Sequence, residues 1–325
     1  MPSRPLIIWA VSDGKAGNAN QALGLAEAIG RLTAVTIETK RIGWRGVVGR
    51  MPAALNPAPL KLLSPRSDPI GPPWPDLWIA TGRATLGLSM HVKRWSGGKT
   101  FVVQTQDPHL PLSRFDLVAP PRHDRLTGAN VFPITGSPHR VTPERLAAEY
   151  PAFARELDPL PHPRAAVLIG GKSKNFDLSA SRAKALADGL ERALDAAKAA
   201  LLMTFSRRTP EAAQAILTER LRGRPGMIWD GEGPNPYFAF LQAADYVAVT
   251  EDSTSMVAEA ASTGKPVFIL EMDGDQGRKR LFHAELAEAG AARIFEGAFE
   301  DWSYPPLRET DRLAKEVLRR MRARP

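Results

Sequence analysis

Two arginines follow directly on an apolar run: Ser206-Arg207-Arg208 comes after Ala200–Phe205. At a strand end, paired guanidinium forks suit a diphosphate, because each fork grips two oxygens. A second apolar run, Ala165–Ile169, ends in Gly170-Gly171-Lys172-Ser173. This is not a Walker A loop, whose first glycine would fall at Ala166, inside the run. It reads as a short glycine turn presenting backbone N–H groups to a phosphate. A third run, Tyr246–Thr250, leads into Glu251-Asp252-Ser253-Thr254-Ser255. Hydroxyls there cap a helix start, where unpaired N–H groups attract negative oxygens. Glu259 shares a helical face with Ser255, and a carboxylate there accepts hydrogen bonds from both hydroxyls of a ribose. Phosphate at the helix start and sugar one turn along make a nucleotide site. The plainer reading of the same residues is an N-cap followed by a surface glutamate.

The front half carries a second polar knuckle, Ser12-Asp13-Gly14-Lys15-Ala16-Gly17-Asn18, after the run Leu6–Val11. Gly14 and Gly17 permit a tight turn, and Asp13, Lys15, Asn18 and Gln21 cluster in and just beyond it. Gln104, Gln106, Asp107 and His109 form a further polar group, but the six histidines show no ligand spacing. Asp273-Gly274-Asp275 resembles the Asp-x-Asp metal motif of sugar transferases. Two carboxylates at that spacing are common on surfaces, so no metal is expected.

These loops need elements to hold them. Strands are predicted at Leu6–Val11, Val35–Thr39, Leu77–Ala80, Thr100–Gln104, Leu117–Ala119, Val131–Ile134, Ala165–Ile169, Ala200–Phe205, Met227–Trp229, Tyr246–Thr250 and Val267–Leu270. Helical patterns lie between them at Asn20–Gly30, Ser179–Ala197, Pro210–Leu221 and Asn235–Ala243. Several strands lack alternation, as strands buried on both faces of a parallel sheet do. The β–α alternation predicts doubly wound α/β units. The pattern occurs twice, giving a domain over 1–155 and another over 160–325, with the boundary near residues 155–163. The final segment has Leu313, Val317 and Met321 on one helical face and is free to pack across either domain. In a parallel sheet, ligands bind beyond the carboxyl ends of the strands, where all these polar loops fall.

Of the 325 residues 43% are hydrophobic, enough for packed cores, and none is cysteine. Disulfides, thiolate metal sites and cysteine nucleophiles are therefore excluded, which suits a reducing cytosol. No apolar stretch reaches the roughly 18 residues of a membrane span, and the start reads as a first strand, not a signal peptide. The net charge of +8 favours anionic partners. With no zinc-finger, RNA-recognition or helix-turn-helix signature, nucleic acid is not expected among them. The segment 41–63 interleaves Arg41, Arg45, Arg50 and Lys61 with Trp44, Val47, Val48, Met51, Leu55 and Leu60. It reads either as a surface for an anionic bilayer or as a proline-broken connection covering the core.

The stretch VTEDSTSMVAEAASTGKPV resembles the donor-nucleotide segment of GT-B glycosyltransferases. SDGKAGNANQ, ATGR, QTQDP, IGGKSK, TFSRRTP and TEDSTSM, in this order, resemble the ELM1-like family over nearly the whole chain. The resemblance implies a GT-B fold, two Rossmann-like doubly wound domains facing across a cleft. It implies donor binding by Gly170, Gly171, Lys172 and Ser173 at the phosphates and by Arg207 and Arg208 on the diphosphate. Asp252, Ser253, Ser255, Met256 and Glu259 would hold phosphate, base and ribose. Lys15, Asn18, Gln21, Thr81, Gly82, Arg83 and Gln106 would meet the acceptor, with Asp13 or Asp107 as general base. Family members often carry histidine at the position of Asn18, and asparagine cannot act as a base.

The expected activity is metal-independent transfer of a sugar from a nucleotide-diphosphate sugar, the co-substrate, to an acceptor hydroxyl of a cell-envelope lipid or glycan. No other cofactor is expected. The expected place is the cytoplasm, with 41–63 on the inner face of the membrane. The resemblance implies one alternative, a non-catalytic nucleotide-sugar-binding scaffold that recruits partners at a membrane.

Overall fold

The computed structural model describes residues 4–53 and 59–324. The chain divides into two compact units, Met1–Arg140 with Arg308–Pro325, and Val141–Leu307.

In the first unit β1 (Leu6–Ser12), β2 (Val35–Arg41), β3 (Leu77–Ala80), β4 (Phe101–Gln104) and β5 (Leu117–Val118) form one sheet. All neighbours are parallel and the order is β2-β1-β3-β4-β5. The central strands β3 and β4 are buried at every residue, whereas the edge strand β2 alternates between half-buried and exposed. That contrast explains why the interior strands read as unbroken apolar runs. Helices α1 (Ala16–Gly30) and α2 (Leu86–Trp95) return the chain between strands. Gly24 lets α1 approach residues 139–140 closely: a Cβ there would lie 2.4 Å from the His139 carbonyl. Val131–Ile134 forms isolated bridges, Val118 to Val131 and Pro121 to Ile134, and no strand. Pro133 lies inside it and has no N–H to give a ladder.

In the second unit α3 (Pro143–Glu149) and α4 (Ala154–Leu157) precede β6 (Arg164–Ile169). There follow β7 (Phe176–Asp177), α5 (Ala180–Ala197), β8 (Ala200–Phe205), α6 (Glu211–Leu221), β9 (Gly226–Ile228), α7 (Tyr237–Ala243) and β10 (Tyr246–Thr250). The unit closes with α8 (Thr254–Ala261), β11 (Val267–Leu270), β12 (Asp273–Gly274), α9 (Lys279–Glu288) and β13 (Ala292–Ile294). The main sheet runs β13-β11-β10-β6-β8-β9, all parallel; β7 and β12 form a separate antiparallel pair. Counted within the unit from its first parallel strand, this order is 3-2-1-4-5-6, the dinucleotide-binding arrangement. Both units are Rossmann-like, as the β–α alternation predicts.

The division falls at Arg140/Val141 and not near 155–163. The proline-rich stretch marks a loop, but the helices before it bury Leu146, Phe153 and Leu157 in the core under β6 and β10. The last helix, α10 (Glu309–Arg322), belongs to the first unit. Leu313, Ala314 and Val317 are fully buried there with Leu25 and Ile29 of α1, and Arg31 and Asp311 pair at 2.6 Å. Removing one such side chain costs the transfer energy and leaves a cavity. Leu313→Ala should therefore destabilise the first unit by about 2–5 kcal/mol, read as a lower urea midpoint.

Candidate functional site

In the 3-2-1-4 order the chain departs in opposite directions from β6 and β10, leaving a crevice at their carboxyl ends. The loops Gly170–Ser173 and Glu251–Ser253 stand there, with Ser206–Thr209 beyond the neighbouring strand β8. Asp252 ties them together. Its side chain is fully buried. Oδ1 accepts from the Thr250 hydroxyl at 2.8 Å, and Oδ2 accepts from the Gly171 N–H at 3.2 Å and from Arg208 Nη2 at 2.8 Å. Thr250 Oγ1 in turn accepts the Gly170 N–H at 2.7 Å.

The glycine turn is therefore engaged by the protein itself. Besides Gly170 and Gly171, Lys172 donates its N–H to the Arg208 carbonyl and Ser173 to that of Phe176, both at 2.9 Å. The expectation that these amides face a phosphate is corrected by this geometry. The glycines are needed for close approach: a Cβ on Gly170 would stand 1.9 Å from Asp252 Oδ1, and one on Gly171 2.1 Å from the Arg208 oxygen. Asp252 likewise holds the protein's own groups and not a ligand's. The Lys172 ammonium is exposed and paired with Asp177 at 3.0 Å.

The two arginines separate in role. Arg208 lies against Asp252 with its guanidinium half-exposed, also donating to the Lys172 carbonyl at 3.1 Å. Arg207 is exposed and makes no ion pair among the described residues. A second cation, not anticipated from the sequence, stands beside Arg208. Lys279, at the start of α9, donates to the Asp252 carbonyl and lies 5.0 Å over the Phe176 ring. Burial pushes its pKa down, with Asp252 opposing and Arg208 adding to the shift. The signal in the sequence was the basic triplet Arg278-Lys279-Arg280 at a helix start.

The helix α8 begins beside this cluster. Ser253 caps it, its hydroxyl accepting from the Met256 N–H at 3.3 Å. Ser255 is half-buried in the first turn, and Met256 packs its side chain on the core. Glu259 is no surface residue: it is 6% exposed, and its Oε2 accepts from the Tyr237 hydroxyl at 2.5 Å. Burial raises its pKa to about 7, and the tyrosine hydrogen bond only partly offsets this. Tyr237 is the other residue that sequence reading missed; it opens α7 in the stretch Asn235-Pro236-Tyr237.

Asp273 and Asp275 serve the backbone. Asp273 accepts from the Ser179 N–H at 2.9 Å and Asp275 from the Gly277 N–H at 2.8 Å. Among the described residues no cluster has the makings of a metal site. Two surface hollows, about 560 Å³ along α6 and about 320 Å³ beside β9, lie away from the loops of the crevice.

In the first unit the order 2-1-3-4-5 places its own switch point between β1 and β3. Asp13 follows β1. Its Oδ1 accepts from Asn18 Nδ2 at 3.0 Å and the Lys15 N–H at 3.1 Å, and its Oδ2 pairs with the Lys15 ammonium at 3.1 Å. Partial burial opposes the charged form, yet these contacts hold the carboxyl below the usual range. Gly82, after β3, leaves room for Asn18: a Cβ would meet Nδ2 at 2.5 Å. Gln106, after β4, donates to Gln21 of α1 at 3.1 Å. The Thr81 and Thr105 hydroxyls meet at 2.7 Å beneath these loops. Asp107 accepts the His109 N–H at 2.8 Å and faces its Nδ1 at 3.1 Å. Arg83 is exposed. Contacts thus link Asp13, Asn18 and Gly82 in one group and Gln21 and Gln106 in another on the same helix.

The sequence model of the family described as mitochondrial fission ELM1 matches residues 16–321. The mitochondrial fission protein ELM1 of Arabidopsis thaliana is 34% identical over 278 residues, 77% of this chain; the chain spans 65% of that relative's length. Among solved structures, UDP-GlcNAc 2-epimerase from Methanocaldococcus jannaschii superposes with a TM-score of 0.55 at 14% identity, covering 97% of this chain and all of that one. LpCGTa, solved in complex with UDP, gives 0.53 at 13% identity, covering 98% and 91%. The structural likeness shows the fold, and it is the expected GT-B class. From the ordered motifs and the match along nearly its whole length, the chain belongs to the mitochondrial fission ELM1 family.

Proposed function

We propose that the second unit binds a nucleotide-diphosphate sugar at the β6/β10 switch point and that the protein transfers the sugar to an acceptor hydroxyl. One observation carries this reading. A buried carboxylate, Asp252, fixes Arg208 at the mouth of the crevice beside Lys279, while α8 starts next to them and Glu259 waits one turn along it. Arg208, Lys279 and the first turn of α8 hold the diphosphate. Glu259 accepts the ribose hydroxyls. Solved relatives in fold that act on UDP-GlcNAc or carry UDP support a uridine nucleotide as the first to try.

Transfer forms a bond between the acceptor oxygen and the sugar's anomeric carbon, breaks the anomeric bond to the diphosphate and leaves its electron pair on phosphate oxygen. The cations lower the cost of that charge. The acceptor proton needs a base whose pKa approaches the working pH. Asp13 is held charged by Lys15 and Asn18, which makes it a poor base, so Asp107 is the carboxylate we assign. The alternative is a binding scaffold without transfer. The engagement of Asp13 favours it, and the family's name fits it.

A thermal-shift panel of UDP-, GDP-, ADP- and CMP-sugars tests the site. A ligand at a hundredfold its Kd adds about 2.7 kcal/mol of stability. Arg208→Ala should weaken binding about tenfold to a hundredfold, the loss of a charge-assisted contact. A panel in which nothing shifts the midpoint ends the proposal.

Affinity should also depend on pH. With Glu259 titrating at about 7, the carboxylate that accepts ribose hydroxyls forms as pH rises, so binding tightens roughly tenfold from pH 6 to 8. The same raised pKa makes the free protein lose stability over the window from the ordinary glutamate range up to about 7, since the folded state holds the extra proton. Glu259→Gln should flatten both profiles. Calorimetric titrations across that range decide it.

Donor hydrolysis separates the two candidate bases. Asp107→Asn should lower the rate about 10²–10⁴-fold, and Asp13→Asn should have the smaller effect. Equal rates in wild type and both variants would leave the scaffold reading in possession.

A further inference from the structure

The segment 41–63 covers its own unit: Trp44 turns in to the Ala84 carbonyl at 2.9 Å, and Leu55 lies outside the described residues. The sheet of the second unit, by contrast, ends in an unpaired edge. β9 is its last strand and pairs only with β8 among the described residues. The Leu201 N–H donates to the Pro225 carbonyl and the Trp229 N–H to the Met203 carbonyl, both at 2.9 Å. In a parallel ladder, alternate residues of a strand face its neighbour. Pro225, Met227 and Trp229 therefore turn their backbone groups to β8, and Gly226 and Ile228 turn theirs outward.

Such an edge is a template for another strand. The charges around it say which one. Arg222 and Arg224 precede β9, Asp230 and Glu232 follow it, and Met227 stands midway between them. Each cation is as far before Met227 as an anion is after it. Lay a second copy antiparallel along the edge, with Met227 on the two-fold axis. Gly226 then lies opposite Ile228 of the partner subunit, and Arg224 opposite Asp230 of the partner subunit. The symmetry makes each pairing occur twice. The outward N–H and C=O groups of Gly226 and Ile228 find partners in the new ladder.

The groups this needs are available. Arg222, Asp230 and Glu232 are exposed and make no ion pair among the described residues. Asp230 accepts the Glu232 N–H through Oδ1 at 2.9 Å, and its Oδ2 has no partner among the described residues. Arg224 holds Asp195 through Nη1 and Nη2, which leaves its Nε–H for a second carboxylate. The hollow of about 320 Å³ beside the edge is lined by Thr218, Leu221, Gly226 and Ile228 among others. With no side chain at residue 226, the partner's Ile228 has room there. A bare edge of three residues is ordinary, because shortness itself discourages pairing. The reversal of charge about Met227 is a feature that protection alone does not require.

We propose that two copies of the chain pair through β9, antiparallel about Met227, and join their six-stranded sheets into one. The seam lies beyond β8, on the side away from β6 and β10, and the pairing stands apart from the nucleotide reading.

Sedimentation of the full chain over a concentration series tests it, and a monomer–dimer equilibrium is expected. Asp230→Lys and Arg224→Glu each set like charges opposite one another twice, and each should weaken the dimer about tenfold. Mixed together, the two variants restore opposite charges at both places, so the mixed dimer should regain wild-type strength. The chain has no cysteine, so oxidation reads the register. Met227→Cys brings two thiols together at the axis and should cross-link the dimer. Ile228→Cys holds them farther apart than the roughly 7 Å between Cα atoms that a disulfide tolerates, and should not. Urea midpoints close to the wild type's, taken at a dilution where the chain is monomeric, confirm folded variants. A chain monomeric throughout, a dimer indifferent to both charge reversals, no rescue on mixing, or no cross-link at residue 227 each overturns the proposal. The first of these would leave the edge to a strand from a different protein.

Discussion

The second unit depends on one buried charge. A carboxylate removed from water is unfavourable unless its lone pairs are filled by donors. Asp252 meets that condition with a hydroxyl from Thr250, an N–H from Gly171 and the guanidinium of Arg208. Each donor comes from the end of a different strand: β10, β6 and β8. Three loops far apart in sequence are thereby fixed to the two oxygens of one side chain. The consequences spread outward. Residue 170 must be glycine because the carboxylate occupies the space of its Cβ, and residue 171 must be glycine because the Arg208 backbone does. Arg208 is held in place by the protein itself, so at the proposed diphosphate site less freedom would be lost on binding. Removing the carboxylate would release the arginine and leave the Gly171 N–H buried without its acceptor.

How much of this the sequence discloses follows from the range of the interactions. The strands are legible because parallel strands buried on both faces are apolar throughout, as β6, β10 and β11 are. The caps at Ser179 and Ser253 are local and legible for that reason. The short pieces β7, β12 and β13 are not, since Phe176-Asp177, Asp273-Gly274 and Ala292-Arg293-Ile294 are each interrupted by a polar or glycine residue, unlike the equally short but wholly apolar β5. The boundary near 155–163 went astray because prolines announce a loop, while only the packing of Leu146, Phe153 and Leu157 says which core owns the helices before it. At the site, the loops were identifiable but their contents were not. That the Gly171 N–H is already taken depends on a residue 81 positions away, and Lys279 reaches the Asp252 carbonyl across 27. Neither distance leaves a mark on local pattern. Between two neighbouring arginines, nothing in the sequence tells which one faces Asp252.

The first unit solves its corresponding corner differently. Asp13 is only partly covered, and its partners Lys15 and Asn18 lie within the same turn. It is a local knot, and Asn18 lies close against Gly82. A carboxylate so well supplied with donors is stabilised as an anion, and the property that makes it a good anchor makes it a poor proton acceptor. The polar loops at the ends of β1 and β3 therefore look less like a reacting centre than a shaped wall. Asp107 meets the neighbouring His109 and no other described residue through its oxygens, which is why the proposed base is placed there.

Glu259 shows the opposite imbalance from Asp252. Both carboxyls are buried in the same short stretch of chain, but Oε2 of Glu259 has the Tyr237 hydroxyl while Oε1 accepts no hydrogen bond from the described residues. Its pKa stands at about 7 because burial disfavours the charged form and the single tyrosine hydrogen bond offsets that only in part. In the proposed site the lone pairs of Oε1 would be open to donors from a ligand, one helical turn beyond a start that favours anions. A ligand with a phosphate and two vicinal hydroxyls carries both missing parts at about that separation. Because the hydroxyls prefer the ionised form, such a ligand binds and expels the proton together, so occupation of the crevice and the charge of α8 become one event. The half-filled carboxyl, more than the filled one, is why the proposed nucleotide site is placed at this end of the sheet.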